Sequence, residues 1–147
     1  MPRHELPQPV EDTRRAIVRA AVACDYEALA DIARRDTTGF SYSFGESGAP
    51  AEFWRKAEAR GEDVLRTLVE VLRLPFATRT LNETTQYVWP SAYGYERWAE
   101  VPPADREALL RVYSGDDLRR FEQFGSYLGH RVGIGEAGEW MFFVAGD

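Results

Sequence analysis

Apolar positions recur at helical spacing through the first half of the chain and give way to strand-like runs in the second. Residues 1–10 are punctuated by prolines and read as an extended tail, because proline fixes φ and disfavours helix in the residue before it. From Glu11 the pattern turns helical: Ile17, Ala20, Ala21 and Cys24 form one stripe, with Glu11 and Asp12 in the first turn, where the helix dipole favours negative charge. Asp25 reads as a break and a new N-cap. Tyr26, Leu29, Ala30 and Ile32 or Ala33 then make the inner face of a second helix that closes on Arg34 and Arg35. The spacing predicts helices over 11–24 and 25–35, or one helix with a kink. A further helix from Pro50 or Ala51 turns Phe53, Trp54 and Ala57 inward. Gly61 interrupts it, and Val64, Leu65, Leu68, Val71 and Leu72 carry the stripe on to Pro75.

Residues 39–45 alternate aromatic and small residues, which predicts a strand with Phe40, Tyr42 and Phe44 on one face. Residues 78–89 are β-leaning, and 90–102 form a loop carrying Tyr93, Tyr95 and Trp98. Pro103 fits the first turn of a helix over 104–113 that Gly115 stops, and Asp116 can cap a short helix over Leu118, Phe121 and Phe124. Residues 127–134 and 139–145 flank Gly135-Glu136-Ala137-Gly138, a hairpin connection. The apolar run from Met141 to Ala145 does not alternate. It predicts a strand covered on both faces and placed in the middle of a sheet. The expected class is α+β: a curved, mostly antiparallel sheet packed with several helices, its C-terminal hairpin central, in a single domain over 11–147.

A chain of 147 residues buries roughly two thirds of its unfolded surface and needs no disulfide or metal to hold it. Cys24 is its only cysteine, so no intrachain disulfide forms; the residue reads as a small buried apolar one with no base beside it. The formal charge of −6, with arginines mixed among acids and no basic stripe, argues against a nucleic-acid partner. No run approaches the ~20 apolar residues of a membrane span, so no membrane partner is expected. The N-terminus lacks the apolar core of a signal peptide. Two locations fit: cytoplasmic by default, or exported after trimming of a leader.

Catalytic signatures are missing. The chain has no phosphate-binding Walker loop, no Gly-x-Ser-x-Gly, no His-Glu-x-x-His and no Cys-x-x-Cys, and its two histidines are His4 and His130. No cofactor and no metal are expected, and catalysis is the less favoured reading. His130 alternates with Leu128, Val132 and Ile134. It is a packed, hydrogen-bonded histidine if their face is core, and a proton shuttle or ligand donor if that face lines a cavity.

The densest local feature is aromatic. Tyr87, Trp89, Tyr93, Tyr95 and Trp98 fall within twelve residues, and Tyr42, Trp54 and Tyr127 can join them on folding. These rings form either a core and loop plug or an aromatic-lined groove for a ring-bearing, sugar-like or peptide ligand. The ligand-binding candidates are Tyr42, Trp54, Tyr87, Trp89, Tyr93, Tyr95, Trp98 and His130.

The segment Ala20-Ala21-Val22-Ala23-Cys24-Asp25-Tyr26-Glu27-Ala28-Leu29-Ala30 resembles the opening of the nuclear transport factor two-like superfamily, which includes polyketide-cyclase-like and ketosteroid-isomerase-like proteins. The resemblance covers residues 14–35. It implies a curved sheet wrapped by helices into a cone whose mouth holds a small ligand, in a family of isomerases, cyclases, dehydratases and non-enzymatic binding modules. No strand carboxylate corresponds to an isomerase base. The expected function is a non-catalytic module binding a small ligand or peptide in an aromatic-lined cavity. Alternatives are a protein-interaction or homodimer module, and a small cone-fold enzyme using His130, Glu83 or Glu96.

Overall fold

A computed structural model of the chain describes residues 6–35 and 50–144. The expected strand over 39–45, Tyr42 included, lies outside the described residues.

The first helix, α1 (Gln8–Val22), begins inside the proline tail rather than after it. Pro7 sits at the N-cap and Pro9 in the first turn, where a missing N–H leaves no hydrogen bond unmade. The second, α2 (Tyr26–Arg34), is capped as expected, with the Asp25 carboxylate accepting from the Ala28 amide at 3.1 Å. Cys24 departs from expectation. It adopts φ 55° in the link between these helices and its side chain is exposed, because the left-handed turn lifts it off the α1 stripe. Helices α3 (Pro50–Ala59) and α4 (Val64–Leu72) follow, with Gly61 at φ 87° between them.

Strands β1 (Ala77–Leu81), β2 (Thr84–Trp89), β3 (Arg131–Gly135) and β4 (Trp140–Val144) form a curved, unclosed antiparallel sheet in the order β1-β2-β3-β4. The single β-leaning stretch of the sequence is therefore a hairpin. Its two-residue turn, Asn82-Glu83, has φ 51° and 68°, the positive pair that a type I′ turn requires.

The C-terminal hairpin requires a correction. β3 is internal, but among the described residues β4 is the margin of the sheet, not its middle. Both faces of β4 are nonetheless covered. Phe143 and Trp140 join the core on the helix side, while Phe142 packs on the other face against Gly133, where a Cβ would fall 2.3 Å from its ring. An unbroken apolar run reports covering from above and below; it does not report a lateral neighbour.

Residues opposite one another in an antiparallel ladder share a face. Tyr87, Trp89, Val132, Ile134 and Phe143 thus face α1 to α4 and join the main core, where Trp54 stacks on Trp140 at 5.7 Å. Arg79, Gln86, Val88, Arg131, Gly133 and Phe142 face the other way.

That second face meets the long excursion between β2 and β3. It contains short turns at Ser91–Gly94, Trp98–Glu100 and Leu109–Arg111, and helices α5 (Pro103–Ala108) and α6 (Gly115–Phe124). These pieces enclose a second apolar cluster of Leu74, Ala92, Trp98, Val101, Leu109, Phe121 and Tyr127. Gly115 is the first residue of α6 rather than a stop, and Ser114 rather than Asp116 is its cap. The Ser114 hydroxyl accepts from the Asp117 amide at 3.1 Å and the Asp117 carboxylate accepts from the Ser114 amide at 3.0 Å. Among the described residues no helix is long and apolar enough to cross a membrane.

Candidate functional site

The face of the sheet turned towards the excursion is mostly small or apolar, yet β1 and β3 each place an arginine on it. Tyr93, carried by the Ser91–Gly94 turn, reaches between the strands and the excursion. The guanidinium carbon of Arg79 lies 4.8 Å from the Tyr93 ring centroid and that of Arg131 lies 4.9 Å from it. The Tyr93 ring also meets Phe142 edge-on at 6.0 Å.

Arg79 is held in place by neutral groups. Its Nε donates to Gln86 Oε1 at 2.6 Å, and Gln86 Nε2 in turn contacts Met141 Sδ at 3.1 Å. Among the described residues Arg79 enters no ion pair. Arg131 is deeper, 8% exposed.

Around these side chains lies a pocket of about 460 Å³. Arg79, Arg131 and Tyr93 form its base; Tyr95, Phe124 and Leu128 give it apolar walls; Ser126, Tyr127 and Glu96 complete it. The volume suits a small organic ligand. Among the described residues Glu96 is the only carboxylate in the lining, which it shares with Arg79 and Arg131.

Two of the hydroxyls are already committed. Ser126 Oγ donates to the Glu96 carbonyl at 2.9 Å, and Tyr127 Oη donates to the His130 carbonyl at 2.5 Å. Burial, seconded by Tyr113 beside it, pushes the Tyr127 phenol well above its ordinary range, so it stays protonated.

A larger depression, about 690 Å³, lies where α1 meets the end of α4, with Phe76 and Trp89 at its floor. Its Arg14 is spent on structure, donating to Glu11 at 2.8 Å and to the Leu72 carbonyl at 3.4 Å. The carbonyl end of α4 opens there as well, beside Arg73 and Arg111, and the Glu11 carboxylate shares the lining.

The aromatic candidates do not share one groove. Tyr93 and Tyr95 line the 460 Å³ pocket. Tyr87 and Trp89, on the helix side of β2, pack on Phe76 at 5.9 and 5.7 Å. Trp54 is fully buried against Trp140. Trp98 belongs to the second cluster, 5.7 Å from Phe121, with the Arg106 guanidinium 5.5 Å from its ring. His130 lies outside the pocket lining, its ring 5.5 Å from Phe143 on the helix side. Burial lowers its pKa, opposed by Glu62 and reinforced by Arg131. The division follows from strand pleating: rings two residues apart on β2 share a face, whereas those on the excursion meet the opposite one.

Arg79 and Phe124 are the site residues that the sequence pattern does not flag. Arg79 becomes visible only once the turn at Asn82-Glu83 sets it across from Gln86. The one available signal for Arg131 is its alternation with His130, which turns it away from the helices.

No protein-family model, curated protein or solved structure matches the chain. Among the described residues no group of His, Cys, Asp and Glu side chains is arranged to hold a metal ion. What the geometry offers chemically is a concave surface with cationic donors at its base and aromatic and aliphatic walls.

Proposed function

We propose that the domain is a binding module that takes up a small, ring-bearing ligand in the pocket between the sheet and the β2–β3 excursion, without transforming it. The observation that carries this reading is the convergence of Tyr93, Tyr95 and Phe124 on a 460 Å³ pocket whose side chains are fixed from behind. Arg79 is tied to Gln86, and Tyr127 to the His130 backbone. Preorganised walls lower the entropy lost on binding.

The test is an NMR titration of the isotope-labelled domain with benzoate, benzamide, phenol and glucose. The expected result is a saturable shift of the Tyr93, Tyr95 and Ser126 amides with at least one ring compound. Phe124→Ala is expected to weaken it several-fold. Shifts that never saturate, or that map to the α1–α4 depression, overturn the reading.

One observation favours a second reading, that of an interaction module. Phe124, at the pocket rim, is 60% exposed. A second copy seated on this face would give a dimer in sedimentation equilibrium that Phe124→Glu dissociates. A monomer at high concentration rules that out.

A further inference from the structure

The pocket also holds information about the charge of its ligand. We infer that the ligand is a monoanion, an aromatic carboxylate, recognised by Arg79; this rests on the pocket being the binding site.

The argument starts from which polar groups remain to be used. Ser126 Oγ and Tyr127 Oη donate to backbone carbonyls and have no hydrogen left for a ligand. Arg79 differs. Its Nε is taken by Gln86, while its terminal Nη groups have no hydrogen-bond partner among the described residues. A guanidinium held by Nε presents its Nη hydrogens in a fixed plane, the arrangement that suits the two oxygens of a carboxylate.

Arg131 places a second cation against the same Tyr93 ring and adds to the local positive potential. The molecule as a whole is acidic at −6, and here two guanidinium groups lie against one ring. Glu96 shares the lining, and its carboxylate repels a doubly charged phosphate ester more strongly than a singly charged carboxylate.

The rest of the ligand is read from the walls. Tyr95, Phe124 and Leu128 offer ring faces and an aliphatic edge, which suit a flat apolar body. A sugar would need several neutral donors and acceptors, and two of the pocket's hydroxyls are occupied.

The experiment compares benzoate with benzamide, its uncharged isostere, by NMR titration of the full chain at low salt. Benzoate is expected to bind at least tenfold more tightly than benzamide. Arg79→Gln is expected to remove that preference, so that benzoate and benzamide bind the variant equally; Arg79→Lys is expected to restore part of it. Equal affinities for the two compounds in the unmodified protein overturn the charge assignment while the pocket reading stands. Saturable binding of neither compound overturns both. The comparison in the unmodified protein decides the matter even if the Arg79 variants fold poorly. Phenyl phosphate serves as the third arm: tighter binding than benzoate overturns the choice of a carboxylate.

Discussion

The hydroxyls of Tyr113 and Tyr127 lie 3.0 Å apart and close a ring with the backbone of His130. The His130 amide donates to Tyr113 Oη at 2.7 Å, and Tyr127 Oη donates to the His130 carbonyl at 2.5 Å. Tyr113 must therefore donate to Tyr127, and each member gives and receives once. Gly129 makes room for this, since a Cβ there would fall 2.3 Å from one hydroxyl and 2.5 Å from the other. We expect Gly129→Ala to destabilise the domain by about 2–4 kcal/mol, through overpacking and loss of the ring. Tyr127→Phe should cost about 1–3 kcal/mol, because it leaves the His130 carbonyl short of a donor. Urea unfolding checks both.

The same ring predicts alkaline sensitivity. Burial raises the pKa of both phenols in the folded state, that of Tyr127 further. The unfolded chain then releases protons first, near pH 10, so stability is fully present below that pH and falls as pH rises towards the folded values. Unfolding free energies measured between pH 9 and 11 should fall more steeply for the unmodified protein than for a Tyr113→Phe, Tyr127→Phe double variant.

His130 predicts a second pH dependence, at the acidic end. Its ring is lowered in pKa by burial, with Arg131 acting in the same sense and Glu62 against it. The unfolded chain binds the proton first, near pH 6.5, so stability is present above that value and is lost as pH falls towards the folded pKa. His130→Phe keeps a ring against Phe143 and should flatten the melting temperature between pH 7 and 5. An unchanged slope in that variant would assign the effect elsewhere.

The Asn82-Glu83 turn offers a stabilising change. Glu83 is exposed and holds φ 68°, a conformation that costs a residue with a Cβ about 1 kcal/mol or more. Glu83→Gly should relieve that and raise stability by up to about 1 kcal/mol, less the added freedom of the unfolded chain. Thermal unfolding reads the sign directly.

Trp54 should prove structural. It is fully buried and stacked on Trp140, so Trp54→Ala should cost about 3–5 kcal/mol. Ligand binding should be lost only in proportion to the unfolded fraction, which a titration at low temperature separates.

The helical half was legible because its signals are local. Asp25 caps α2 through its own carboxylate, and Gly61 adopts a positive φ between α3 and α4, each a property of one residue and its neighbours. The β2 edge of the excursion was legible for a similar reason, since Pro90 follows the strand directly. The first hairpin was hidden because Asn-Glu lacks the glycine that marks a type I′ turn. The place of β4 was hidden because Phe142 and Phe143 find cover above and below from segments distant in sequence. Of the aromatic candidates, Tyr93 and Tyr95 meet in one pocket, whereas Trp54 and Trp98 are taken by the two cores. Which ring belongs where depends on the face of the sheet each meets, and that is fixed only when the register is. Arg79 shows the same dependence, since its role comes from the residue opposite.

Trp89 and Val132 are ladder partners, so the chain leaves the sheet and comes back to it one strand away. The whole excursion is in effect a handle whose two ends meet the body on neighbouring strands and which Tyr93 packs against the sheet. Tyr95, Phe124 and Leu128 ride on that handle, while Arg79 and Arg131 are fixed to the body. Changes in the handle can therefore recast the outline of the cavity without disturbing strand pairing, and the positive charge at its base would stay where it is.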